Sequence, residues 1–295
     1  MKMKNIFVII IIFLILCPRM AYSRDNKPKY GFEIGTWQYS LSGTLNFFNP
    51  GSNPLIPAFN FSSNLKNNGS FDKNRNFSGA ATIKLGNLSD IYISADITRN
   101  SGIIDAYSTG DVKVNDVLFG VAGKARVNTQ LNSDMIDIMG LREIASSQNG
   151  YVNLAYGLRL GRTALNLSNA MGSNSYERNI VLPFAGLDGT CNINDKFRFY
   201  SRYIGTNIDI GSGSTGKNYS INEIDAGVEY HLMHPEPEYT EIGPGLPAPR
   251  ELREADNLDW YLQLGYKEKY MKETEGQNRM VTRNGGPQFK IIIRH

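Results

Sequence analysis

The chain has 295 residues, of which 41% are hydrophobic and 20% charged, with 16 Tyr, 14 Phe and 29 Gly. Three of its 31 Lys and Arg (Lys2, Lys4 and Arg19) lie in an N-terminal leader, and the rest match the 28 Asp and Glu, so the mature chain is near neutral and its composition excludes an electrostatic nucleic-acid binder. Of the two cysteines, Cys17 lies in the leader; Cys191 alone can form no intramolecular disulfide, and stability must come from backbone pairing and packing.

Lys2 and Lys4 precede an unbroken apolar run from Ile6 to Leu16, followed by Pro18 and the small triplet Ala21-Tyr22-Ser23. This is the layout of a secretory signal peptide over residues 1–23, and the run is too short for a membrane helix, which needs about 20 residues. A lipoprotein site at Cys17 fits poorly with Leu16 before it and Pro18 after it. Beyond residue 23 the longest apolar run, Ile180 to Ala185, is interrupted by Pro183, which excludes a helical membrane protein.

The remaining signal is period-2 alternation. In chain order, Trp37, Tyr39, Leu41, Leu45 and Phe47 share one face; then Phe77, Ala81, Ile83 and Leu85; then Ile91, Ile93, Ala95 and Ile97. A fourth strand carries Val117, Phe119, Val121, Ala125 and Val127, and a fifth Val152, Leu154, Tyr156, Leu158 and Leu160. Val181, Ala185, Leu187 and Ile193 lead through Asn194-Asp195-Lys196 into Phe197, Phe199 and Tyr203. The last three strands carry Ile224, Val228 and Tyr230; Trp260, Leu262, Leu264 and Tyr266; and Phe289, Ile291 and Ile293.

Opposite the apolar faces stand Lys84, Asp96, Lys124, Arg126, Arg159, Arg198, Arg202, Asp225, Glu229, Lys267 and Lys290. A membrane barrel turns such a face inward, a soluble barrel turns it outward. The leader and the unequal connections favour the membrane: turns at 86–90 and 194–196 are short, while 49–74, 100–114, 168–179, 209–218 and 271–285 read as longer outer loops. The expectation is an all-β, antiparallel up-and-down transmembrane barrel of about ten strands, with eight or twelve as alternatives. It occupies residues 24–295 as a single domain with both termini in the periplasm. These charges are then a lumen network, and Trp37, Tyr39, Trp260 and Tyr266 an aromatic girdle at the membrane borders. Residues 133–149 read as a short periplasmic helix or a further strand. Residues 234–256, with Pro235, Pro237, Pro244, Pro247 and Pro249, cannot be a central strand and read as an extended periplasmic insert where a partner could bind.

The opening Gly31-Phe32-Glu33-Ile34-Gly35-Thr36-Trp37, the Asn194-Asp195-Lys196 hairpin, Leu264-Gly265-Tyr266 and the closing Gly286-Pro287 before Phe289, Ile291 and Ile293 carry a resemblance. Over essentially the whole mature chain they resemble the small outer-membrane β-barrel proteins of Gram-negative bacteria. The resemblance implies a place in the cell outer membrane, contact with its lipids, and insertion by the outer-membrane assembly machinery, which reads the last strand. Members usually end in an aromatic residue, whereas this chain ends Arg294-His295. The family hosts many functions, and fold does not select among them.

Motifs with chemistry are weak. Gly211-Ser212-Gly213-Ser214-Thr215-Gly216-Lys217 matches most of a phosphate-binding loop, but Asn218 replaces the metal-binding hydroxyl and no helix follows. His231 and His234, three apart, point to opposite faces of a strand, and His295 is terminal. No catalytic set, metal site or cofactor is expected. Cys191 reads as a small apolar side chain. The interior charges then form either a salt-bridged plug, since an unpaired buried charge is costly, or a narrow polar channel; about ten strands favours the plug. The functional expectation is a non-enzymatic barrel with a structural, adhesive or narrow-pore role; the alternatives are a small outer-membrane enzyme and a soluble periplasmic ligand-binding barrel.

Overall fold

The computed structural model describes residues 30–49, 59–64, 69–85, 89–107, 111–114, 117–121, 123–147, 149–210, 217–233, 258–275 and 278–295. The signal peptide, the proline-rich insert and most of the glycine-rich 211–217 loop lie outside these residues.

The strands are β1 (Tyr30–Trp37), β2 (Ser40–Asn49), β3 (Phe59–Asn64), β4 (Gly69–Lys84), β5 (Ser89–Tyr107), β6 (Val112–Val114), β7 (Val117–Gly120), β8 (Lys124–Ser147), β9 (Gly150–Ser168), β10 (Ser173–Asn192), β11 (Phe197–Ile210), β12 (Lys217–Met233), β13 (Asp259–Glu275) and β14 (Asn278–Arg294). β1 with β2, and β3 with β4, are the two halves of single staves. With β5 and β8 to β14 they form a closed antiparallel barrel of ten, sealed where β1 pairs β14 from Gly31↔Arg294 to Trp37↔Gln288. Closure removes sheet edges, which lipid cannot hydrogen-bond.

The end that carries Tyr30 and His295 also carries the tight turns. The Leu85 N–H donates to the Ser89 carbonyl at 3.0 Å, and the Asn194 side-chain oxygen accepts from the N–H groups of Lys196 (2.9 Å) and Phe197 (2.8 Å), a turn that asparagine favours. Short turns mark the periplasmic end.

A tilted strand crosses a membrane in about 9–11 residues, yet β5 has 19, β8 24, β9 19 and β10 20. Much of each of these staves therefore stands above the outer leaflet. The segments expected as outer loops are largely strand: β3 starts at Phe59, β5 runs to Tyr107, β10 starts at Ser173, β13 runs to Glu275 and β14 starts at Asn278. The fourth stave also differs from the expected 117–128. It is β8, which absorbs residues 133–147, while Val117–Gly120 pairs with β6 in a small hairpin outside the barrel sheet.

The extensions escape a simple alternation reading because the apolar residues change parity partway along several staves. On β9, Leu154, Tyr156, Leu158 and Leu160 face out and are exposed, but higher up Leu165 and Leu167 face in and are buried. On β8 the switch is from Ile138 and Ile136 outside to Leu131 and Val127 inside. On the first stave it is from Phe32 and Ile34 outside to Leu41 and Leu45 inside. Below the switch, lipid solvates the outer wall; above it, water does, and the apolar face must turn inward. The outer apolar belt from Leu154 to Leu160 covers about 20 Å along the strand at roughly 3.3 Å per residue.

Candidate functional site

The lower interior is a lattice of opposite charges placed by strand register. Asp137 and Arg159 are direct cross-strand partners, so Arg159 donates from Nε and Nη2 to the Asp137 carboxylate, both at 2.6 Å. The same Nη2 lies 2.8 Å from Glu223, which faces Lys267 Nζ at 3.1 Å, and Lys267 reaches Asp96 at 2.9 Å. Asn76 donates a further bond to Asp96. Toward the periplasm, Lys290 Nζ sits 3.0 Å from Asp225 and 3.4 Å from Glu33. Arg202 Nε donates to Asp188 at 2.8 Å with its guanidinium 4.0 Å from the Tyr92 ring centre. Arg294 holds Glu229 with two bonds, 2.7 and 2.8 Å, and Arg198 approaches the same carboxylate at 3.7 Å. Gln288 joins Tyr200 (2.8 Å) and Asp225 to the lattice.

Alternating sign is what makes such burial tolerable, because each desolvated charge is answered by a neighbour and by hydrogen bonds to its remaining atoms. Among the described residues, voids of about 70 and 40 Å³ remain between these side chains. That is room for a few waters in each.

Above the lattice the interior becomes apolar. Leu41, Leu45, Ile104, Val127, Leu131, Leu165, Leu167, Ile180, Leu182, Ile221, Met271 and Met280 form one buried cluster. Burial of a Leu or Ile side chain is worth about 1.5–3 kcal/mol. Within this upper layer Arg178 pairs with Glu273, flanked by the rings of Tyr176 and Tyr219.

Eight of the residues expected in the lumen (Asp96, Arg159, Arg198, Arg202, Asp225, Glu229, Lys267 and Lys290) meet in this lattice. Lys84 is half-buried at the periplasmic end of β4, opposite Asp90. Lys124 and Arg126 are on the outer wall instead. Both are exposed, and Arg126 faces Asp105 at 4.0 Å. They belong to the part of β8 above the membrane, where the polar face looks out. Trp37 and Tyr39 are likewise not girdle residues: they are 3% and 5% exposed, pack against each other with ring centres 4.5 Å apart, and stand at the boundary between lattice and apolar core. Lys267 Nζ lies 5.3 Å from the Trp37 ring centre. Trp260 and Tyr266 face outward at 39% and 50% exposure.

Glu33, Asp137, Asp188, Glu223 and Arg294 complete the lattice and were not in the expected set. Asp137 was hidden because 133–149 reads as a short periplasmic helix or a further strand. Glu223 was findable, two residues before Asp225 and therefore on the same face.

No family model matches the chain, and no curated protein sequence matches it. Among solved structures, the outer-membrane protease OmpT of Escherichia coli is 11% identical with a TM-score of 0.52, over 94% of this chain and 99% of that one. Ail, the attachment invasion locus protein of Yersinia pestis, is 9% identical with a TM-score of 0.34 over 90% and 99%. The translocator domain of the autotransporter NalP from Neisseria meningitidis is 11% identical with a TM-score of 0.35 over 92% and 91%. The fold is that of the small outer-membrane β-barrels of Gram-negative bacteria, and the apolar belt fits it to the outer membrane.

Proposed function

We propose that this outer-membrane β-barrel is a non-conducting structural or adhesive protein that holds a rigid barrel extension above the outer leaflet. The observation that supports this reading is the double closure of the interior: an ion-pair lattice at membrane depth, capped by an apolar core made of side chains such as Leu45, Ile104, Leu165 and Leu182. A pore needs a continuous water path, and among the described residues the voids between the lattice side chains touch the upper core at Met135 alone. The extension presents a polar outer wall, with Lys124, Arg126, Asn128, Gln130 and Glu177 exposed, suited to contact with other surfaces. Lipids bathe the belt below, and the assembly machinery that inserts such barrels would handle the chain.

An outer-membrane enzyme is the competing reading, since one structural neighbour is a protease. Against it, the only histidines are His231, His234 and His295. The two described ones lie at the periplasmic end, away from the outer mouth. Among the described residues no group of three or more His, Cys, Asp or Glu is arranged to hold a metal.

The test is single-channel recording of the purified protein in planar bilayers, paired with attachment of expressing cells to host or abiotic surfaces. Silent bilayers with expression-dependent attachment support the proposal. Stepwise conductance would replace it with a pore, and peptide cleavage by the purified protein would replace it with an enzyme.

A further inference from the structure

Arginines on the outer wall are not all answered alike. Arg162 meets Glu177 at 2.6 Å, and Arg283 makes two 3.0 Å bonds to Glu268. Arg75 on β4 and Arg99 on β5 are instead direct cross-strand partners, and both are exposed. Outward side chains in such a pair leave Cβ atoms about 4.5–5.5 Å apart, where like charges repel and weaken the sheet. Asp134 on β8 pairs with Arg99 Nη1, which also donates to the Thr98 carbonyl at 2.9 Å, so the rest of that guanidinium fork still offers donors. Arg75 has no carboxylate partner among the described residues. The bond from the Asn74 side chain to the Tyr39 carbonyl, at 3.0 Å, brings the β1–β2 junction with its exposed Gln38 alongside. Two arginines that share one carboxylate hold a surplus of positive charge that an anion would relieve.

The height of the pair selects the anion. The next outward pair toward the periplasm is Phe77 with Ile97, lipid-facing at 55% and 41% exposure. Two residues of strand separate the apolar pair from the arginine pair, roughly 7 Å at about 3.3 Å per residue. That is the step from acyl chain to headgroup at the outer leaflet, a level that long cationic side chains reach while their stems lie along apolar surface. Adjacent guanidinium forks match phosphate oxygens by charge and by paired N–H donors.

We propose that Arg75 and Arg99 clamp the phosphate of an outer-leaflet lipid headgroup whose acyl chains lie against Phe77 and Ile97. Free phosphate offers the same chemistry without the chains, and the test separates the two. Full-length protein in detergent is titrated with phosphorylated lipid A, with lipid A stripped of its phosphates, and with inorganic phosphate, and bound adducts are counted by native mass spectrometry. Wild type should hold the phosphorylated lipid at least tenfold more tightly than either of the others. Arg75→Gln combined with Arg99→Gln should remove that preference while the heat-dependent gel shift of the folded barrel is unchanged. Asp134→Asn, which frees the Arg99 guanidinium, should tighten binding and carries the test by itself if the double variant does not fold. Arg283→Gln, whose arginine already has Glu268, should bind as wild type does. Equal binding of the two lipid forms, inorganic phosphate bound as tightly as the lipid, weaker binding by Asp134→Asn, or an equal loss in Arg283→Gln overturns the assignment. The site rests on the placement of the apolar belt in the outer membrane and not on the closed interior, so channel recording bears on the non-conducting reading alone.

Discussion

Removal of the Arg159 side chain probes the lattice at its most connected point. Arg159 makes two 2.6 Å bonds to Asp137 and one of 2.8 Å to Glu223, with only 4% of its side chain exposed. In Arg159→Ala, Glu223 keeps Lys267 at 3.1 Å, but Asp137 loses its Arg159 partner and remains a buried carboxylate. Loss of one partner from a buried pair costs about 3–5 kcal/mol, roughly two to three and a half powers of ten in the folding equilibrium at about 1.4 kcal/mol per tenfold. Urea titration of the barrel in lipid vesicles, followed by heat-modifiable gel mobility, reads this as a large fall in midpoint. Arg162→Ala is the control: its 2.6 Å pair with Glu177 is on the outer wall with the arginine side chain 58% exposed, and its midpoint should stay at the wild-type value. The joint replacement Asp137→Leu with Arg159→Met leaves no orphaned charge there and should recover most of the loss. Coincident midpoints for Arg159→Ala and Arg162→Ala would mean that the interior is wet enough to screen its charges, and the plug would be refuted.

Three further outcomes follow from the parity switch and the packing. Ile93→Lys, on the lipid-facing belt, should cost about 2–4 kcal/mol near the bilayer midplane, whereas Gln130→Lys on the exposed upper wall of β8 should not shift the same urea titration. Leu182→Ala, at a position 1% exposed in the upper core, should cost about 2–5 kcal/mol in that titration. Gly43 has φ of +151°, and a Cβ there would collide with the Val281 carbonyl, so Gly43→Val should reduce the heat-modifiable fraction recovered from outer membranes.

The lower barrel was legible in the sequence because lipid imposes one rule on the outer wall of every stave, which must be apolar, while the charged residues turn inward. Leu154 to Leu160, Ile91 to Ile97 and Phe289 to Ile293 all follow it, and so do the inward Arg159, Asp225 and Lys290. The upper barrel obeys the opposite rule, and alternation alone does not say which rule applies. Trp37, Tyr39, Leu41 and Leu45 form a clean apolar stripe that is inside, while Lys124 and Arg126 form an equally clean polar one that is outside. The information was present as a phase change: even-numbered Phe32 and Ile34 give way to odd-numbered Leu41 and Leu45, and even-numbered Leu158 and Leu160 to odd-numbered Leu165 and Leu167. Strand length was the other missed signal, since the polar segments taken for outer loops also alternate. The membrane barrel and the soluble barrel with an apolar interior, set against each other from sequence, describe two heights of one molecule.

That inversion is best tested by cysteine labelling along β8 in a Cys191→Ser background, with a membrane-impermeant maleimide applied to intact cells. The account predicts rapid labelling of Asn128→Cys on the upper outer wall. It predicts protection of Ile138→Cys in the lipid belt and of Leu131→Cys in the upper core. Protection of Asn128→Cys, or labelling of Leu131→Cys as fast as Asn128→Cys, would contradict a water-exposed, apolar-filled extension above the membrane.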